Sequence, residues 1–160
     1  MTKLNVVEQL IDGVQQRVPQ ITAVDKVGDA RWVLTVDEDP VLEISYYDVH
    51  EKLTLATTIG QPSEENQAEV HAMLLAFNAL SDETGGIVMA TATPGGRVIQ
   101  KLDVFVPNHG VSELSCVVEN LLQNTCVWRD IVQNAGRDQD EPSEPQYGDI
   151  SPYASHAIHA

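Results

Sequence analysis

The segment Leu53–Leu80 reads LTLATTIGQPSEENQAEVHAMLLAFNAL. It contains two periodicities joined by one turn. Leu53, Leu55 and Ile59 alternate with Thr54, Ala56 and Thr58, the period of two that marks a half-buried antiparallel strand. Gly60-Gln61-Pro62 breaks the strand. A helix is expected from about 63 to 80, with Ser63 as its N-cap and Glu64 and Glu65 at the positive end of its dipole. The second half of that helix is apolar nearly all round. Val70, Met73, Leu74 and Phe77 form one stripe that can cover a sheet, while Ala72, Leu75, Ala76, Ala79 and Leu80 fall partly outside it. A helix apolar on more than one side needs a second surface to bury.

Working outward, Leu4, Val7, Leu10, Ile11, Val14 and Val18 recur at three- and four-residue steps, which predicts a helix over 3–18, closed by Pro19. Gly13 weakens it somewhat. Residues 20–30 are ambiguous and could hold a short strand. Strands follow in RWVLTVD and VLEISYYD, separated by the turn DEDP at 37–40, and DVHE at 48–51 leads into the strand that contains Leu53, Leu55 and Ile59. Beyond the second helix, GIVMATAT and RVIQKLDVF flank the turn Pro94-Gly95-Gly96. A third helix is expected over about 111–134, with Gly136 as its stop. The fold class is therefore α+β: an antiparallel sheet of about five strands with three helices, in the order α-β-β-β-α-β-β-α.

One domain, 1–136, accounts for this pattern, and 160 residues suffice for a core without disulfides or metals. Residues 137–160 are acidic, rich in Pro and Ser and without periodicity, and read as a disordered tail. The formal net charge is -15 and the nine basic residues are scattered, which disfavours nucleic acid. No run of about 18 apolar residues is present and the N-terminus lacks a signal-peptide core, so neither membrane insertion nor export is expected, and a cytoplasmic address is the default. Cys116 and Cys126, ten residues apart on one expected helix, are separated by about 15 Å of rise and cannot bridge.

Catalytic chemistry is not assembled. ETGGIVM and TPGGRV lack the Lys-Ser/Thr of a phosphate loop and read as turns. Asp37, Glu38 and Asp39 lack the glycine and distal Glu of a calcium loop. His156 and His159 stand three apart but in the tail, where solvated side chains are the simpler reading. No enzyme activity, cofactor or metal is expected, and a binding protein is favoured.

The element order, the acidity and the segments LTLATTIGQPSEENQAEVHAMLLAFNAL, GGIVMATATPGGRVIQKLDVFVP and VSELSCVVENLLQNTCVWRDIV resemble the class I type III secretion chaperones, the Tir-chaperone-like (CesT-like) family, over roughly residues 4–134. The resemblance implies a homodimer without ATPase activity that binds the extended N-terminal segment of one or more type III secreted effectors and keeps them secretion-competent. It implies an effector groove, for which Val6, Leu10 and Val14 of the first helix and Leu42, Ile44 and Tyr46 of the sheet are candidates; ordinary core is the alternative for each. The doubly apolar second helix supplies a two-fold interface, with Ala72, Leu75, Ala76, Ala79 and Leu80 beside Val88 and Ala90 of the next strand. The alternative there is a helix sandwiched between the sheet and the third helix of its own chain. A regulatory module of the same fold, sequestering a transcriptional regulator, is the competing function. For the tail, docking a secretion ATPase, shielding the groove and no role at all are equally compatible with its composition.

Overall fold

In the computed structural model, the described residues are 1–37 and 39–135. Glu38, Gly136 and the expected tail with its two histidines lie outside them.

Helix α1 (Lys3–Arg17) starts where the Thr2 hydroxyl accepts a hydrogen bond from the Asn5 N–H at 3.2 Å, a side-chain cap. Its buried stripe is Val7, Ile11 and Val14, continued by Val18. Four strands then form an antiparallel meander: β1 (Ile21–Gly28), β2 (Arg31–Val36), β3 (Asp39–Tyr47) and β4 (Lys52–Gly60). Asp37 and Glu51 take left-handed backbone conformations (φ 48° and 46°) at the β2–β3 and β3–β4 connections. After α2 (Gln67–Asn78) come β5 (Val88–Thr91), β6 (Val98–Phe105) and α3 (Val111–Asn134). β6 inserts between β4 and β5, giving one six-stranded sheet in the order β1-β2-β3-β4-β6-β5.

The α+β class and the three helices stand as expected, and the sixth strand is β1, in the ambiguous stretch. Only Ile21 of β1 is buried, because the strand pairs on one side and its outer residues meet water, so its alternation is faint. α2 is shorter than its expected span. Asn66, not Ser63, occupies the N-cap position, and the Asn66 N–H donates to the Ser63 carbonyl at 3.1 Å in a turn that precedes the helix. The residues from Ser63 to Glu69 are all polar but for Ala68, so packing begins only at Val70.

One face of the sheet carries the core. Leu34, Leu42, Ile44, Leu53, Leu55, Val98 and Val104 face α1 and α3 there. Along α3 the inward set is Leu114, Val118, Leu121, Thr125, Trp128 and Val132. Two features fix how α3 lies. A Cβ placed on Gly13 would sit 2.8 Å from both methyl carbons of Val111, so the missing side chain lets the two helices touch. Beneath α3 runs a buried polar network. Gln100 Nε2 donates to the Leu121 carbonyl at 2.9 Å and to the Thr125 hydroxyl, Asn124 Nδ2 donates to Gln100 Oε1 at 2.7 Å, and the Thr57 and Thr125 hydroxyls share a hydrogen at 2.9 Å. Among the described residues no buried side-chain heteroatom of that network lacks a partner, which is the condition for polar groups to sit in a core at little cost.

Candidate functional site

α2 is the element whose sequence asked for two partners. Its inner side is supplied by Val70 and Leu74, both buried, and by half-buried Phe77, at helical steps of four and three. Met73, which the stripe expected inside, is 37 % exposed at the rim. On the opposite side and just past the helix end, Ala72, Leu75, Ala76, Ala79 and Leu80 are all exposed, with Leu75 at 71 %. The helix is therefore not enclosed by its own chain. Leu75 and Ala90 line one shallow groove together with His71, Leu74, Asn78, Met89 and Thr91. His71 Nε2 is enclosed there and has no hydrogen-bond partner among the described residues. Val88 faces a different groove, beside Tyr47, Lys52 and Asp103 on the outer face of the sheet.

The other set of residues is divided by the structure. Val14, Leu42 and Ile44 lie in the core, each about 1 % exposed or less. Val6 is 39 % exposed and Leu10 half-buried on the flank of α1. Tyr46 is buried along most of its length and floors a cleft with Lys3, Leu4, Asp29 and Ala30. Its hydroxyl donates to the Asp48 carboxylate at 3.2 Å, and burial, followed by that bond, pushes the phenol above its ordinary value. Beside this cleft Lys3 and Glu51 pair at 3.0 Å.

β1 forms the near edge of the sheet. Lys26 ties it to α1 through Glu8 at 2.7 Å and lies 5.9 Å from the centre of the Trp32 ring. Asp25 and Asp29 on the same edge have no ion-pair partner among the described residues, so the edge is acidic as well as partly apolar at Val24 and Val27. The outer face of the sheet is polar by contrast: Arg31 pairs with Glu43 at 3.4 Å, and Lys52 with Asp103 at 2.8 Å. Among the described residues no three His, Cys, Asp or Glu side chains converge as metal ligands, and no helix is long and apolar enough to cross a membrane.

Sequence reading missed one pair of contacts here. The Asn78 amide donates to the Met89 carbonyl at 2.9 Å and accepts from the Met89 N–H at 2.8 Å. An Asn at the end of an expected helix carries no signal for this, since its partner lies on another element.

No family model matches the sequence, and no curated protein is similar to it. Solved structures are. A chain of the HopA1–SchA chaperone–effector complex superposes with a TM-score of 0.64 at 16 % identity, covering 79 % of this chain and 95 % of that one. A chain of the ExsC–ExsE complex gives 0.60 at 12 % identity, covering 82 % and 97 %. A chain of the structure of the Yersinia pestis type III secretion chaperone SycH, in complex with a stable fragment of YscM2, gives 0.58 at 13 % identity, covering 75 % and 97 %. The chain has the fold of the type III secretion chaperones. The match takes in nearly the whole of each of those chains and three quarters or more of this one, so it is not confined to a shared fragment.

Proposed function

We propose that this protein is a cytoplasmic type III secretion chaperone that binds an extended segment near the N-terminus of one or more exported effectors. The observation that supports this reading most directly is a correspondence that takes in 95 % of a chain of a chaperone–effector complex and 79 % of this one. Two surface features agree with it. The exposed side of α2, with Leu75 and Leu80, offers a second copy an apolar surface, and the seven residues from Ala72 to Ala90 named above are the proposed interface. The flank of α1 with Val6 and Leu10, the Tyr46 cleft and the free side of β1 offer cargo an apolar strip and unpaired backbone groups. Within the proposed groove set, Val14, Leu42 and Ile44 act from beneath, by fixing α1 on the sheet. The chemistry is binding alone: an unfolded segment is held apart from other chains by burying its apolar residues, and the net charge of -15 keeps the complex soluble.

Co-expression with a tagged copy, followed by mass spectrometry of what co-purifies, tests the reading. The expected partner is an exported protein, and limited proteolysis of the complex should leave this chain with a short cargo peptide that has no stable structure alone. Recovery of only a folded cargo domain, or of a transcriptional regulator in place of an exported protein, would replace the proposal.

A further inference from the structure

The two ends of the sheet are finished differently. At the β5 end the Ala92 N–H donates to the Arg97 carbonyl at 3.0 Å, on the β6 side. Backbone groups alternate in direction along an antiparallel strand, so the N–H groups of Met89 and Thr91 point the other way, out of the sheet. An outward N–H and C=O pair is what an incoming strand would use. At Met89 both groups are taken: the Asn78 amide holds the N–H at 2.8 Å and the carbonyl at 2.9 Å. A primary amide has the same donor and acceptor as a peptide bond, so Asn78 does for Met89 what a further strand would do. At the other end β1 runs for eight residues, Ile21–Gly28, and no side chain among the described residues hydrogen-bonds to its backbone.

We propose that Asn78 is an edge stopper, which closes the β5 end of the sheet to strand pairing and leaves β1 as the edge where an extended partner adds. A second consequence concerns the α2–β5 surface: whatever docks there does so through side chains such as Leu75 and Ala90, without continuing the sheet. At β1 the unpaired Asp25 and Asp29 select a segment that carries Lys or Arg. The choice of β1 as the receiving edge rests on the chaperone reading; the stopper itself does not.

The stopper is tested on the chain alone, with no cargo. In Asn78→Ala the Met89 amide should exchange with solvent about tenfold faster, and the protein should form β-rich oligomers larger than the wild-type assembly, read by sedimentation and thioflavin fluorescence. Adding Thr91→Pro removes the remaining outward N–H of β5, a position at which an edge strand tolerates proline, and should return the assembly to wild-type size. Asn78→Asp keeps the acceptor for the Met89 N–H and loses the donor, so it should associate to an intermediate degree. An Asn78→Ala protein with the wild-type assembly overturns the proposal. So does one that merely unfolds and is not restored by Thr91→Pro. The β1 arm uses the captured cargo peptide: exchange protection appearing on β1 supports it, and protection appearing on β5 overturns it.

Discussion

The Phe77 and Trp128 rings meet edge to face, with centroids 5.3 Å apart and planes at 84°. This contact ties α2 to the far end of α3 and so decides which side of α2 turns inward. Phe77 belongs to the same stripe as Val70 and Leu74, and once it is set against Trp128, Leu75 on the far side of the helix must face outward. Phe77→Ala should lower stability by about 2 kcal/mol, less than a fully buried phenylalanine because Phe77 is only half-buried. Urea denaturation of the purified protein gives the value.

Leu75→Asp should separate the proposed dimer and leave the protomer folded. The side chain is 71 % exposed within one chain, so a carboxylate there stays in water until a second copy covers it. Burying it unpaired would be strongly unfavourable, by several kcal/mol. Light scattering should report a dimer for the wild type and a monomer for the variant, with unchanged circular dichroism. A wild-type protein that is monomeric at tens of micromolar removes the dimer from the proposed function.

The buried network beneath α3 should respond unequally to the loss of its members. Gln100→Leu leaves the Asn124 amide without its acceptor and removes the donor that the Leu121 carbonyl and the Thr125 hydroxyl share, and should destabilise by about 2 kcal/mol. Thr57→Val should have a smaller effect, under about 1 kcal/mol, because the Thr125 hydroxyl still donates to the Leu121 carbonyl at 2.8 Å. Equal losses in the two variants would show that the network does not act through satisfied hydrogen bonds.

Gly13 and Val111 should be energetically coupled. Alanine favours a helix over glycine by about 1 kcal/mol, yet its Cβ would press on both Val111 methyls. Gly13→Ala alone should therefore fail to stabilise, whereas in a Val111→Ala background it should stabilise. A double-mutant cycle measures the difference.

Asp103 should contribute to the acid limb of the stability curve. Burial pushes its carboxyl up, but hydrogen bonds from Lys52 at 2.8 Å and Thr54 at 2.7 Å outweigh that and hold it below its ordinary 3.8. A depressed carboxyl stabilises the fold above the unfolded value, and that contribution is lost as pH falls below 3.8 through the folded value. Asp103→Asn should flatten the stability curve in that window and nowhere else. Chemical denaturation at a series of acidic pH values is the check.

Periodicity located most of these elements. The limits of α3 were legible because an apolar stripe, interrupted at Thr125, runs from Leu114 to Val132; β4 because it alternates over its whole length; and β3 because Leu42, Ile44 and Tyr46 alternate with Glu43, Ser45 and Tyr47. β1 was not, since an edge strand with Asp25, Lys26 and Gly28 has little to bury. Periodicity also states that a side chain seeks apolar company without stating whose. Leu42 and Leu75 look alike in the sequence, yet one is enclosed by its own chain and the other stands in water. Asn78 and Gln100 were invisible for another reason: a polar residue that matches groups on a distant element leaves no pattern around itself.

The place of β6 in the sheet has a consequence for the birth of the chain. β1 to β4 are sequential neighbours and can pair as soon as they leave the ribosome. β4, however, must wait for β6, which begins only at Val98, after α2 and β5 have been made. During that interval the far side of β4 is a bare edge, and Leu53, Leu55 and Ile59 lack the cover that α3 will bring. The mature protein guards one end of its sheet, but the nascent one passes through a stage in which its central strand is the least protected part of the molecule.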